Sequence, residues 1–87
     1  MSDWTWRLTP SAERDIKRLD KPVARRVLDS LDKLVSSYPH GDVVRLQGVL
    51  PAEYRLRVGD WRVRFRPDLK EQVVYVLRIL PRGKAYR

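Results

Sequence analysis

Two short runs of alternating apolar and basic residues, joined by Gly59-Asp60, constrain this chain more than any other feature. Tyr54, Leu56 and Val58 alternate with Arg55 and Arg57, and Trp61, Val63 and Phe65 alternate with Arg62, Arg64 and Arg66. A period of two sends successive side chains to opposite faces of a strand. Gly-Asp between two such runs marks a β-hairpin turn. With a two-residue loop, Val58 faces Trp61, Arg57 faces Arg62 and Arg55 faces Arg64. One face of the hairpin is then apolar, and the other sets arginine against arginine. Like charges directly opposite one another on a sheet are destabilising, and local conflicts of this kind are expected at functional sites. An anion lying across the face would relieve the repulsion. The alternative is that the long side chains splay into water, where salt screens them.

The remaining segments supply a cover for the apolar face. Trp4, Trp6 and Leu8 alternate with Thr5 and Arg7, which predicts a first strand with one buried face. Thr9-Pro10 is an N-cap followed by proline at the first helical position, and Ala12, Ile16 and Leu19 share a face of a helix over Pro10–Leu19. Asp20 can cap a second helix, with Pro22 in its first turn. Val23, Val27, Leu28, Leu31, Leu34, Val35 and Tyr38 form its apolar stripe, and Pro39, His40 and Gly41 end it. Val44 and Leu46 suggest a short strand before a Gly48–Ala52 loop, and Pro67–Lys70 a turn after the hairpin. Gln72–Leu80 is apolar on both faces except at Arg78, as in a well-covered central strand. The predicted architecture is α+β, in the order β-α-α-β-β-β. It is a twisted, mainly antiparallel sheet with an N-terminal helical hairpin packed on one face, in one domain over residues 1–87.

Composition narrows the function. With 43% hydrophobic and 34% charged residues in 87, the chain is globular rather than disordered. The absence of cysteine excludes a disulfide scaffold and thiol chemistry, and a single histidine argues against a zinc site. No apolar stretch approaches the roughly 18 residues that span a bilayer, and the MSDWTW start has no signal-peptide core. The expectation is a cytoplasmic protein with no membrane partner. Lys and Arg number 19 against 11 acids, for a net charge of +8. Residues 1–44 hold 8 basic and 7 acidic side chains, residues 45–87 hold 11 and 4, and 14 of the 19 cations are arginine. That distribution fits a polyanion-binding surface on a neutral scaffold, since the planar guanidinium makes bidentate contacts with phosphate. A basic surface serving solubility alone is the plainer reading. By alternation Tyr54, Trp61 and Phe65 point to the helix side and read as core, as do Trp4 and Trp6. Tyr86 lies in a basic tail near Arg82 and Lys84, as either an edge anchor or a site residue. His40 reads as a surface-loop residue. No paired carboxylates, glycine-rich phosphate loop or Ser/His/Asp set stands out.

The segments RLQG (45–48), EYRLRVGDWRVRF (53–65) and VYVLRILPRGKAY (74–86) resemble the RelE/ParE toxin superfamily. Its members show a basic residue before Leu-x-Gly, a run of the Tyr-Arg-x-Arg-x-Gly-Asp-Tyr-Arg kind, a hydrophobic strand, and a terminal Arg with Tyr a few residues on. The Ala-x-x-Asp-x-x-x-Leu helix over 12–19 and a longer second helix ending near Pro39 are similar too. The resemblance implies a toxin of a bacterial type II toxin–antitoxin pair, with the active surface on the concave face of the sheet. One branch consists of ribosome-dependent endoribonucleases that cut mRNA in the A site. In these a ribose 2′-OH attacks the adjacent phosphate without a metal or cofactor and leaves a 2′,3′-cyclic phosphate. The other branch inhibits DNA gyrase and lacks the RNase residues. Carried over by position, Arg55 and Arg57 match the basic pair on the strand and Arg62 the phosphate-stabilising arginine. Arg82 matches the C-terminal catalytic arginine and Tyr86 the C-terminal tyrosine. Arg45 corresponds to a basic position beside the site, and with Arg64 and Lys84 it would bind RNA. Retention of this set favours the RNase branch. The implied partners are a cognate antitoxin, in a hetero-oligomer with the toxin, and the 70S ribosome with its mRNA. Three positions depart from the pattern: Pro81 stands where many relatives have His, and Arg55 and Arg57 stand where RelE itself has lysines. A non-catalytic nucleic-acid-binding module is a third reading, one that predicts salt-sensitive binding without cleavage.

Overall fold

The computed structural model describes residues 3–48 and 50–84, Lys84 as backbone only. Its elements are β1 (Thr5–Leu8), α1 (Pro10–Lys17), α2 (Lys21–Ser36), β2 (Val43–Arg45), β3 (Tyr54–Val58), β4 (Trp61–Asp68), β5 (Val73–Pro81) and a short 3-10 helix, Arg82–Lys84. The chain order is thus β-α-α-β-β-β-β, one strand more than the expected β-α-α-β-β-β because the short β2 forms a strand of its own. The five strands form one sheet in the order β1-β5-β4-β3-β2. Only the β1–β5 pair is parallel, so the sheet is mainly antiparallel, as predicted, with β5 between β1 and β4.

The Gly59-Asp60 turn sets the register foreseen for the hairpin: Val58 opposes Trp61, Arg57 opposes Arg62 and Arg55 opposes Arg64. Gly59 takes a φ of +58°, a conformation glycine adopts at no steric cost. Both helices cover the apolar face. Val27, Leu31 and Leu34 of α2, at i, i+4 and i+7, are fully buried against Leu56, Val63, Phe65, Val74 and Val76. Tyr54 and Trp61 pack against this core, Trp4 stacks on Tyr38 at 3.9 Å between ring centres, and Trp6 Nε1 donates to Asp32 at 2.8 Å. These aromatic residues therefore serve the helix side, as the alternation predicts, whereas Tyr75, between the buried Val74 and Val76, is exposed. No helix among the described residues is long and apolar enough to cross a membrane.

The helix caps differ from one another. The Thr9 hydroxyl accepts from the Ala12 N–H at 3.3 Å at the start of α1. Asp20 occupies the N-cap of α2 but makes no side-chain capping bond. A capping carboxylate accepts from the second or third helical N–H, and the second position here is Pro22, which has none.

β5 breaks the expected alternation. Arg64 pairs with Arg78 but Phe65 pairs with Val76, leaving Leu77 as the extra residue of a bulge. Strict alternation from Val74 and Val76, both fully buried, would drive Arg78 into the core. The bulge moves Arg78 off that face and buries Ile79 instead, at 2% exposure. Thr9 anchors the bulge: its N–H donates to the Val76 carbonyl at 3.0 Å, and its hydroxyl lies 2.9 Å from the same oxygen and 3.2 Å from the Leu77 oxygen. β4 also runs past the predicted Pro67–Lys70 turn, because Pro67 and Asp68 still pair with Val74 and Val73. The Asp68 carboxylate then caps the turn by accepting from the Glu71 N–H at 2.9 Å.

Candidate functional site

The face of the sheet turned away from the helices carries the arginines of β3 and β4. At its β2 end, Arg55 and Arg57 of β3, Arg62 of β4 and Arg82 of the 3-10 helix converge with Asp42 and Val44 on one open pocket of about 300 Å³. Three features of the backbone assemble it. The two-residue turn brings Arg57 opposite Arg62. The Arg82 N–H donates to the Asp60 carbonyl at 2.9 Å, which ties the chain after β5 to the same turn. The Arg57 N–H donates to the Asp42 carbonyl at 2.9 Å, which brings the start of β2 alongside.

The arginine face is not left to repel itself. Arg62 is buried at 6% exposure, and its Nη1 donates to the carbonyls of Gly59 at 2.8 Å and Trp61 at 2.9 Å. Its guanidinium is thus fixed by the turn that positions it. Arg57 Nη1 lies 3.6 Å from Asp42 Oδ2, an exposed ion pair. Glu53, at 6% exposure, holds Arg64 at 2.6 Å through Oε2 and Arg66 at 3.4 Å through Oε1. A buried carboxylate shared by two guanidiniums offsets the Arg55–Arg64 repulsion from within the protein. Asp15 does the same for Arg78. It accepts from Arg78 Nε at 2.8 Å and from the Ile79 N–H at 2.9 Å, supplying an acceptor at the edge of β5 beyond the end of β1. Burial alone would raise the Asp15 carboxyl, but these hydrogen bonds and the nearby charges of Arg78 and Arg18 hold it below the usual carboxylate value.

The residues singled out in the sequence therefore separate into groups. Arg55, Arg57, Arg62 and Arg82 share the pocket. Arg64 lies on the same face, one pair further along, bound to Glu53. Arg45 pairs with Tyr54, whose side chain is on the helix side, so its own points away from the pocket. Lys84 lies in the 3-10 helix with only its backbone described, and Tyr86 lies outside the described residues. His40 is exposed in the loop between α2 and β2. Among the described residues no group of three or more His, Cys, Asp or Glu is placed to hold a metal ion.

Asp42 and Glu53 are the functional-face residues that sequence reading passed over. Glu53 had a signal: it is two residues before Arg55 and so belongs to the same face. Asp42 had none, because its place depends on how β2 docks against β3.

The sequence profile of the ParE toxin of type II toxin–antitoxin systems, parDE, matches residues 6–86. No curated protein matches the chain. Among solved structures, the archaeal RelE–RelB complex from Pyrococcus horikoshii contains a chain 29% identical to this one, with a TM-score of 0.74 over 94% of this chain and 98% of the other. The RelBE2 toxin–antitoxin complex of Mycobacterium tuberculosis gives 26% identity and a TM-score of 0.75 over 91% and 98%. A mutant of the Escherichia coli toxin RelE in the free state, at 17% identity, shares the fold with a TM-score of 0.71 over 98% and 88%.

Proposed function

The chain belongs to the ParE toxin family of type II toxin–antitoxin systems, within the RelE/ParE superfamily, and from that premise we propose that it acts as a ribosome-dependent mRNA endoribonuclease. The observation that carries the proposal is the convergence of Arg55, Arg57, Arg62 and Arg82 on one pocket. In this reading a ribose 2′-oxygen attacks the neighbouring phosphorus and the bond from phosphorus to the 5′-oxygen breaks, leaving a 2′,3′-cyclic phosphate. Charge develops on the non-bridging oxygens, and Arg55, Arg57 and Arg62 stabilise it. A fixed donor of this kind contributes most where it need not reorganise during the reaction, and Arg62 is already fixed by the turn carbonyls. Arg82 stabilises the leaving oxygen. Tyr86, through its sparsely populated phenolate form, takes the proton of the 2′-hydroxyl and becomes the phenol, since arginine is always protonated and has no lone pair to offer. Lys84 completes the basic surface along the RNA. Arg64 contributes through the field of the face, with its guanidinium held by Glu53. No metal or cofactor takes part. So weak a base calls for a substrate oriented by the ribosome, which lowers the barrier by positioning. An antitoxin neutralises the protein, as the RelE–RelB pairing of the Pyrococcus horikoshii complex suggests. Its natural form is an acidic segment that folds over the basic face.

Primer extension on mRNA programmed into ribosomes, beside naked mRNA, tests the proposal. Cuts at A-site codons in the ribosomal lane alone are expected, and they persist in EDTA at a level that leaves the ribosomes intact. No cuts in either lane overturns it. A second reading, gyrase inhibition by surface binding, is favoured by the ParE profile and by Pro81, which neither titrates nor donates. Tyr86→Phe separates the two: it cripples an RNase and leaves a gyrase binder active in a supercoiling assay.

A further inference from the structure

We propose that Asp42 recognises ribose in the arginine pocket by accepting a hydrogen bond from the 2′-hydroxyl of a nucleotide beside the scissile one, not from the attacking hydroxyl whose proton Tyr86 takes. The proposal deepens the reading of this pocket as a nucleic-acid backbone site and rests on it. Among the described residues lining the pocket, four are arginines and one is a carboxylate. Guanidiniums only donate hydrogen bonds and an ionised carboxylate only accepts them. Phosphodiester oxygens also only accept, so the four arginines suit phosphate, whereas Asp42 repels it. The carboxylate needs a partner with a hydrogen to give, close beside a phosphate. In a nucleotide chain the 2′-hydroxyl meets that description, and it is the group by which a protein tells RNA from DNA.

The placement of Asp42 fits the role. Its carbonyl is tied to the Arg57 N–H. The preceding Gly41, at a φ of +116°, passes so close to Leu56 that an added Cβ would lie 3.0 Å from its Cδ1. The backbone is thus held over the end of the sheet, while the carboxylate stays 57% exposed and 3.6 Å from Arg57. That separation lies beyond a close hydrogen bond and leaves acceptor capacity for a ligand. Val44, at 47% exposure on the same face, offers an apolar wall for the sugar.

The test is binding of the full chain to a short single-stranded oligo-A ribonucleotide and to its deoxy counterpart, by fluorescence anisotropy at one fixed salt concentration. The RNA is recovered and its length checked on a gel. The wild-type protein prefers ribose by about tenfold, the size of one hydrogen bond to a charged group. Asp42→Ala binds the deoxy strand more tightly, because a negative charge is gone, while the ribose strand also loses its hydrogen bond, so the preference falls to within about twofold. Loss of charge alone would strengthen both strands and keep the preference. Asp42→Glu restores part of the discrimination, and Asp29→Ala, on the exposed side of α2, leaves it unchanged. Equal affinity of the wild type for the two strands, binding to neither, or a preference kept by Asp42→Ala overturns the proposal. A ribose preference that depends on Asp42 supports it even if ribosomal cleavage fails, in which case only the nuclease reading falls.

Discussion

At the scale of the residue, the charged face holds together because its arginines are tied to fixed acceptors: Arg62 to the turn carbonyls, Arg57 to Asp42, and Arg64 and Arg66 to Glu53. Arg62 is both the most buried of the pocket arginines and the one bound to the turn, so its replacement has two consequences. Arg62→Ala lowers ribosomal cleavage by at least about tenfold, the low side for loss of one transition-state donor. It also leaves two turn carbonyls without their donor and lowers stability by about 1–2 kcal/mol, read as a smaller urea midpoint; Arg62→Lys keeps the charge and recovers part of the cleavage. Asp15 sets a pH dependence. Its carboxyl lies below its usual value in the folded protein, so its contribution is fully present above the unfolded value near pH 4 and is lost as the pH falls through the folded one. Urea midpoints of the wild type therefore fall between about pH 5 and pH 3 more steeply than those of Asp15→Asn. The opposition of Arg55 to Arg64 and of Arg57 to Arg62 was legible in the sequence, since a two-residue turn leaves one register. The relief of that repulsion by Glu53 was legible only in its face: the period of two places it beside Arg55, but its reach to Arg64 and Arg66 depends on the cross-strand packing. The direction of Arg45 was not legible, since it follows from its pairing with Tyr54.

At the scale of the element, the helices and the hairpin were legible because each carries an unbroken period of 3.6 or 2. The short β2 was legible only as a strand: it spans Val43–Arg45, Leu46 lies outside it, and Val44 is exposed on the arginine face rather than on the apolar side. β5 was only partly so. A strand apolar on both sides gives no phase, and so the bulge at Leu77 left no mark except the oddly placed Arg78. The device that fixes the bulge sits far away in sequence, at Thr9. That one hydroxyl caps α1 and meets the β5 carbonyls, which predicts a sizeable effect from a small change. Thr9→Val, of nearly equal shape, lowers stability by about 1–2 kcal/mol in chemical denaturation, and Thr9→Ser recovers most of it. A further expectation concerns the turn. Gly59→Ala strains a φ of +58° and brings its Cβ to 2.7 Å from Arg26 Nη2, so the protein loses about 1 kcal/mol. Arg62 loosens with the turn, and ribosomal cleavage falls along with stability.

At the scale of the whole molecule, charge is sorted by half of the chain and by face of the sheet. Binding to a single strand through four phosphate contacts gives a slope of about −3 in log affinity against log salt, and Arg55→Ala reduces it by about 0.7. Anisotropy titrations across a salt series read both values. The α+β architecture was legible as a whole. The parallel pairing of β1 with β5 was not, since it joins the two most distant strands and no local pattern reports a long-range partner. That pairing also governs timing. During translation β1 emerges before the other described strands, yet its one neighbour among them in the sheet is the last of them to be made, and Arg82 follows directly behind that strand. A nascent chain still lacking β5 has neither a partner for β1 nor a fourth arginine for the pocket. In the endoribonuclease reading proposed above, the nascent protein is thereby kept harmless to the ribosome that is making it until almost all of these residues have left the exit tunnel.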